Sequence, residues 1–162
     1  MPENEAIGIS LTLTDPPRRG TVLAFDWGKK RLGVAVGDME MRLAHPLVTL
    51  SMQLPRNAQD MDLIAPLVRE WQPVLLVVGV PKYDDAQEHP LAKGCRAFAQ
   101  RARTRFGLPA VMVDEAYSSC EADGLLKETG AGWSARKQRT DQVAAQQILE
   151  TFFELTSRAA KS

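Results

Sequence analysis

Three carboxylates in this 162-residue chain stand where a sheet edge would deliver them. Asp26 ends an apolar run in Phe25-Asp26-Trp27-Gly28, and Glu115 follows another in Val113-Asp114-Glu115. Asp141 lies in Arg139-Thr140-Asp141-Gln142, where Thr140 predicts a helix cap and Asp141 the first turn. Alone, each has an ordinary reading: a turn aspartate, a solvated loop acid, and an acid favouring a helix dipole by about 0.3–1 kcal/mol. Together they read differently. Two carboxylates about 4 Å apart repel by roughly 4 kcal/mol at an effective dielectric near 20. Three converging acids therefore need protons or cations, and hard oxygen donors select Mg²⁺ or Mn²⁺. Such a cluster is what two-metal phosphodiester hydrolysis uses.

The elements that must position these acids follow from periodicity. Thr21–Phe25, Arg31–Gly37 and Arg42–Leu50 read as three strands, the first two joined by a tight hairpin at Lys29-Lys30. Arg56–Trp71 has helical spacing, with a kink or late start expected from Pro66 and a stop at Gln72-Pro73. Val74–Gly79 and Ala110–Val113 are continuous apolar runs, as strands buried on both faces are. His89–Phe106 reads as a helix closed by Gly107. A further helix is expected from Ser118 or Ser119 through Leu126, and a last one from Thr140. The order βββ-α-β-α-β-α-α predicts an α/β fold, a mixed five-stranded sheet with helices on both faces. Its first strand is expected to be central, so that the first and fifth strands bring Asp26 and Glu115 together.

Residues 1–20 read as a tail, 21–157 as one domain and 158–162 as a second tail. Hydrophobic residues make up 44% and charged residues 25%, which excludes wholesale disorder. No apolar run reaches the roughly 18 residues of a membrane span, and the first 20 residues lack the pattern of a signal peptide. Cys95 and Cys120 lack metal or redox spacing, which fits thiols in a reducing cytoplasm. Twenty cations balance 20 anions, which argues against a polybasic binder. Distribution still leaves room for nucleic acid: Lys93, Arg96, Arg101, Arg103 and Arg105 form one acid-free stretch, and Arg136, Lys137 and Arg139 another.

Longer motifs narrow the choice. Asp26-Trp-Gly-Lys-Lys-Arg-Leu-Gly-Val-Ala-Val-Gly-Asp38, Val77-Val-Gly-Val-Pro81, Asp114-Glu-Ala-Tyr-Ser-Ser-Cys-Glu-Ala122 and Asp141-Gln-Val-Ala-Ala-Gln-Gln-Ile-Leu149 occur in that order. They resemble four motifs of the YqgF-type, RuvX-like family of pre-16S rRNA nucleases, also described as Holliday junction resolvases. The resemblance runs from about Thr21 to Phe153. It implies an RNase H-like fold and a catalytic, metal-binding triad of Asp26, Glu115 and Asp141. It further implies Mg²⁺ or Mn²⁺ as cofactor and cytoplasmic processing of the 5′ end of pre-16S rRNA, with pre-ribosomal particles as partners. Ala116 departs from the family's D-E-R, and Asp84–His89 from a loop that usually carries glycines.

Lys30 and Arg31 are candidates to hold a scissile phosphate beside Asp26. Lys82, Arg136, Lys137 and Arg139 are further candidates for nucleic-acid contact. Trp27 reads either as a base-stacking or as a buried ring, and Gly33 as a site of close backbone approach or a turn. Asp38 and Asp114 read as groups supporting the site or as strand-end residues. Besides a nuclease acting on rRNA, three readings remain at this level. They are a resolvase of branched DNA, a nucleic-acid-binding module with weak chemistry, and a sugar-kinase or actin-like ATPase, for which 162 residues are too few.

Overall fold

The computed structural model describes residues 9–10, 17–81, 91–115 and 133–161. Its strands are β1 (Ile9–Ser10), β2 (Thr21–Trp27), β3 (Arg31–Asp38), β4 (Leu43–Ser51), β5 (Leu75–Pro81) and β6 (Ala110–Glu115). Its helices are α1 (Asp60–Trp71), α2 (Ala92–Phe106) and α3 (Trp133–Lys161). The expected helix after Ser118 or Ser119 lies outside the described residues.

The five expected strands form one sheet in the order β6-β5-β2-β3-β4. β2, β3 and β4 make the antiparallel meander, and β5 and β6 join β2 in parallel. A short sixth strand comes from the segment read as a tail: Ile9 and Ser10 pair antiparallel with Val113 and Met112. This two-residue strand has no periodicity from which to read it.

Both faces of the sheet are covered, which is why β2 reads as an unbroken apolar run. Val22 and Ala24 pack with Ile148, Leu149 and Phe152 of α3. Leu23 and Phe25 pack with Met61 and Ile64 of α1 and Phe98 of α2. Phe25 and Phe98 meet edge to face with ring centroids 5.4 Å apart.

β3 divides its residues by size. Leu32 and Val34 face α1 and α2, whereas Gly33, Ala35 and Gly37 alternate with them on the α3 side. With nothing larger than a methyl there, α3 lies close on the strand. A Cβ at Gly37 would come 2.8 Å from Leu149 Cδ2 and 3.2 Å from Phe153 Cζ.

Two helix starts differ from expectation. α1 begins at Asp60, four residues after Arg56, and keeps the exposed Pro66 inside it. The start falls six residues before Pro66, so the proline does not set it, and Gln72 closes the helix in the left-handed region at φ 46°. α3 is already helical at Trp133, so Thr140 is an interior residue and not its cap. Ser-Ala-Arg-Lys-Gln-Arg contains no breaker, and a continuous helix prevails over the capping tendency of one threonine. Gly107 closes α2 as expected, at φ 64° with its N–H donating to the Arg103 carbonyl.

Candidate active site

Parallel pairing sets the C-terminal ends of β2, β5 and β6 along one edge of the sheet. Asp26 is the penultimate residue of β2. It pairs across the hairpin with Gly33 and so shares that residue's α3-facing side. α3 supplies Asp141 at the same place. A Cβ on Gly33 would lie 2.1 Å from the Asp141 carbonyl oxygen and 3.1 Å from the Asp141 Cβ. The missing side chain of Gly33 therefore lets the helix backbone rest on the strand, so that Gly33 has Asp26 as its cross-strand partner and Asp141 against it from the helix. Close approach, not turn geometry, is the role of this glycine.

Asp141 is more than two turns in from the start of α3, so the helix-dipole reading no longer applies. Its carboxylate is instead held from the sheet. Arg31 Nε donates to Asp141 Oδ2 at 2.7 Å, with the two side chains 32% and 21% exposed. The next residue along from Gly33 on the same face of β3 is thus a cation gripping a candidate catalytic acid. Lys30 stands exposed in the hairpin beside it.

Trp27 points to the opposite face and anchors the strand end. Its ring fills the place of a side chain at Gly94, where a Cβ would meet Trp27 Cζ3 at 2.4 Å. Its Nε1 donates to Asp60 Oδ2 at 3.4 Å. Asp60, 7% exposed, also accepts from Arg101 Nε at 3.2 Å and Arg101 Nη2 at 2.5 Å. Of the two readings of Trp27, packing beside the hairpin is the observed one, with the ring partly buried against the core. Asp60 had no signal in the sequence, because its partners lie 33 and 41 residues away.

Glu115 ends β6, paired in register with Pro81. β2 is central as expected, and β5 stands between it and β6, so Asp26 and Glu115 lie two strands apart. Two strand spacings, about 9–10 Å, separate them across the sheet, and Glu115 stands two residues, about 6–7 Å, further along the strand direction. One residue beyond the Phe25–Val78 pair, Gly79 carries no side chain between them. The Glu115 side chain lies outside the described part of the structure, as do those of Arg136, Lys137 and Arg139, and all of Lys82 and Ala116. Among the described residues no group of three His, Cys, Asp or Glu is placed to hold a metal. The two described members of the expected triad, Asp26 and Asp141, both neighbour Gly33, and their carboxylates are hard-oxygen donors of the kind that suit Mg²⁺ or Mn²⁺.

Two other candidates resolve into structural roles. Asp38 Oδ1 accepts from the N–H groups of Glu40 and Met41, closing the turn after β3. Among the cations of α2, Arg101 pairs with Asp60 and Arg105 with Asp62.

Comparison with known proteins extends this picture. The chain is 45% identical over 87% of its length, and 94% of the relative's, to a Nitrosomonas europaea protein named "Putative pre-16S rRNA nuclease". A Nitrosomonas eutropha protein of the same name is 49% identical, with 87% of this chain and 88% of that one covered. Among solved structures, Thermus thermophilus RuvC in complex with Holliday junction substrate superposes with a TM-score of 0.50 at 14% identity. That match spans 85% of this chain and 96% of the other, and it is a likeness of fold, the RNase H-like one. A family model described as RuvX, Holliday junction resolvase, matches residues 20–155, and with relatives this similar over nearly their whole length the chain belongs to the RuvX family.

Proposed function

We propose that this protein is a divalent-metal-dependent nuclease of the cytoplasm that hydrolyses phosphodiester bonds in the 5′ leader of pre-16S rRNA. The carrying observation is that Gly33 pairs with Asp26 across the hairpin and lies against Asp141 of α3, at the edge where the parallel strands end. Family membership and the names of the relatives support the substrate. No helix among the described residues is long and apolar enough to cross a membrane.

In this reading Asp26, Glu115 and Asp141 are the catalytic ligands. Mg²⁺ or Mn²⁺, when bound, supplies Lewis-acid stabilisation of the charge that develops on the phosphoryl oxygens. Asp26 and Asp141 contribute the negative charge that selects a hard cation. Lys30 and Arg31 approach the substrate backbone from the hairpin, and Lys82, Arg136, Lys137 and Arg139 extend the contact with phosphates. Pre-ribosomal particles are the setting in which such a leader is presented.

The family-model description favours a second reading, resolution of branched DNA. One assay separates the two. Purified protein is incubated with a pre-16S leader RNA and with a four-way DNA junction, each with Mn²⁺ or EDTA. Manganese-dependent cleavage of the RNA at the mature 5′ end is expected. Cleavage of the junction alone would establish the second reading. Cells depleted of the protein should accumulate 16S rRNA with an extended 5′ end, and a normal mature end would remove the processing role.

A further inference from the structure

We infer that Arg31 is a positioning residue that couples metal binding to substrate binding: its Nε–H holds Asp141 while its Nη groups take a phosphate of the nucleic acid. This rests on the metal-dependent reading above.

The guanidinium is a planar fork of five N–H donors. Among the described residues, its hydrogen-bonded partner is Asp141, which takes the Nε–H at 2.7 Å. That bond uses one of the five donors and leaves the Nη N–H groups, whose end-on pair can grip phosphate in bidentate fashion. Arg31 opens β3 two residues from Gly33, which pairs with Asp26 and lies against Asp141. A phosphodiester presented to those carboxylates therefore comes within reach of the Arg31 fork. The partial exposure of the side chain, 32%, keeps it accessible to a ligand.

The sign of the charge gives the consequence. A fixed positive charge on Asp141 opposes a second cation at the same carboxylate, so it weakens metal binding when no substrate is present. A phosphate on the Nη groups offsets that charge. Metal and nucleic acid then strengthen each other's binding, by the same factor in either direction. A lysine preserves the charge but not the fork, and a glutamine preserves neither.

The test is a calorimetric Mn²⁺ titration of wild type, Arg31→Gln and Arg31→Lys, beside KM and kcat for a pre-16S leader RNA at saturating Mn²⁺. Melting curves confirm folding of each variant. Arg31→Gln is expected to bind Mn²⁺ about tenfold more tightly than wild type while its KM rises at least about tenfold. Arg31→Lys is expected to keep the wild-type Mn²⁺ affinity and recover part of the KM. Equal or weaker Mn²⁺ binding by Arg31→Gln would overturn the coupling and leave the metal reading standing. No Mn²⁺ binding by any of the three proteins would overturn the metal reading and this inference with it.

Discussion

Gly33 and Asp141 are in backbone contact across the interface between β3 and α3, so close that a single added methyl would stand 2.1 Å from the Asp141 carbonyl oxygen. That contact turns a sequence pattern into a site. The small residues Gly33, Ala35 and Gly37 let the long helix lie down on the strand, and the helix thereby sets Asp141 against the residue that the hairpin pairs with Asp26.

Gly33→Ala should therefore injure the site through geometry alone. The neighbour at 2.1 Å is main chain and cannot swing aside. Overpacking of this kind costs about 1–3 kcal/mol, and the shift of α3 should slow cleavage at least tenfold. Urea denaturation and single-turnover cleavage measure the two effects. A variant as stable and as active as wild type would show that the helix is free to shift there.

Asp60 should behave as a structural acid. Asp60→Ala leaves the Arg101 guanidinium and the Trp27 N–H without their partner. Arg101 is partly exposed and regains water, so a loss of roughly 1–3 kcal/mol is expected, below the range for a fully buried pair. The exposed Arg103→Gln should change stability by no more than about 0.5 kcal/mol. Urea midpoints of the two variants decide the matter, and equal midpoints would contradict the assignment.

The basic surface that meets the substrate should be the hairpin more than the C-terminal half of α2. Lys29 and Lys30 are exposed beside Asp26, while Arg101 and Arg105 are paired with acids. Neutralising both lysines should lower the log–log salt slope of RNA binding by about 0.7 per lost phosphate contact. Arg105→Gln should leave it unchanged. The reverse pattern, read from binding isotherms at several salt concentrations, would move the substrate path to α2.

Metal should stabilise the native protein through the same carboxylates. With Kd assumed at about 1 mM and about 10 mM Mg²⁺, the gain is roughly 1.4 kcal/mol, or about 3–6 °C in Tm for a chain of this size. Asp26→Asn, one negative charge poorer, should melt no lower than wild type in EDTA and respond less to Mg²⁺. A full Mg²⁺ response in Asp26→Asn would take that residue out of the metal site.

Much of this arrangement is legible in the residues. The alternation Leu32-Gly33-Val34-Ala35-Val36-Gly37 states which side of β3 the long helix will cover, and the continuous run Val22–Phe25 states that both sides are covered. Asp26 at a strand end is readable for the same reason. The start of α3 was not, because a threonine followed by an aspartate has the form of a cap, and only the helical continuity upstream of Thr140 excludes it. The strand at Ile9–Ser10 and the Asp60–Arg101 pair depend on contacts between distant parts of the chain, and no local pattern encodes them. The interposed β5 escapes notice similarly: strand order within a sheet is a property of the whole topology.

The central claim is that Asp26 and Asp141 are catalytic carboxylates of one metal-dependent nuclease centre. Single-turnover cleavage of a pre-16S leader RNA by wild type, Asp26→Asn and Asp141→Asn, with Mn²⁺ and with all three shown folded by melting, tests it most directly. Asparagine is nearly isosteric and removes only the charge a hard cation needs. Loss of cleavage by about a thousandfold or more in both variants is the predicted result; cleavage near the wild-type rate by either well-folded variant would contradict the account.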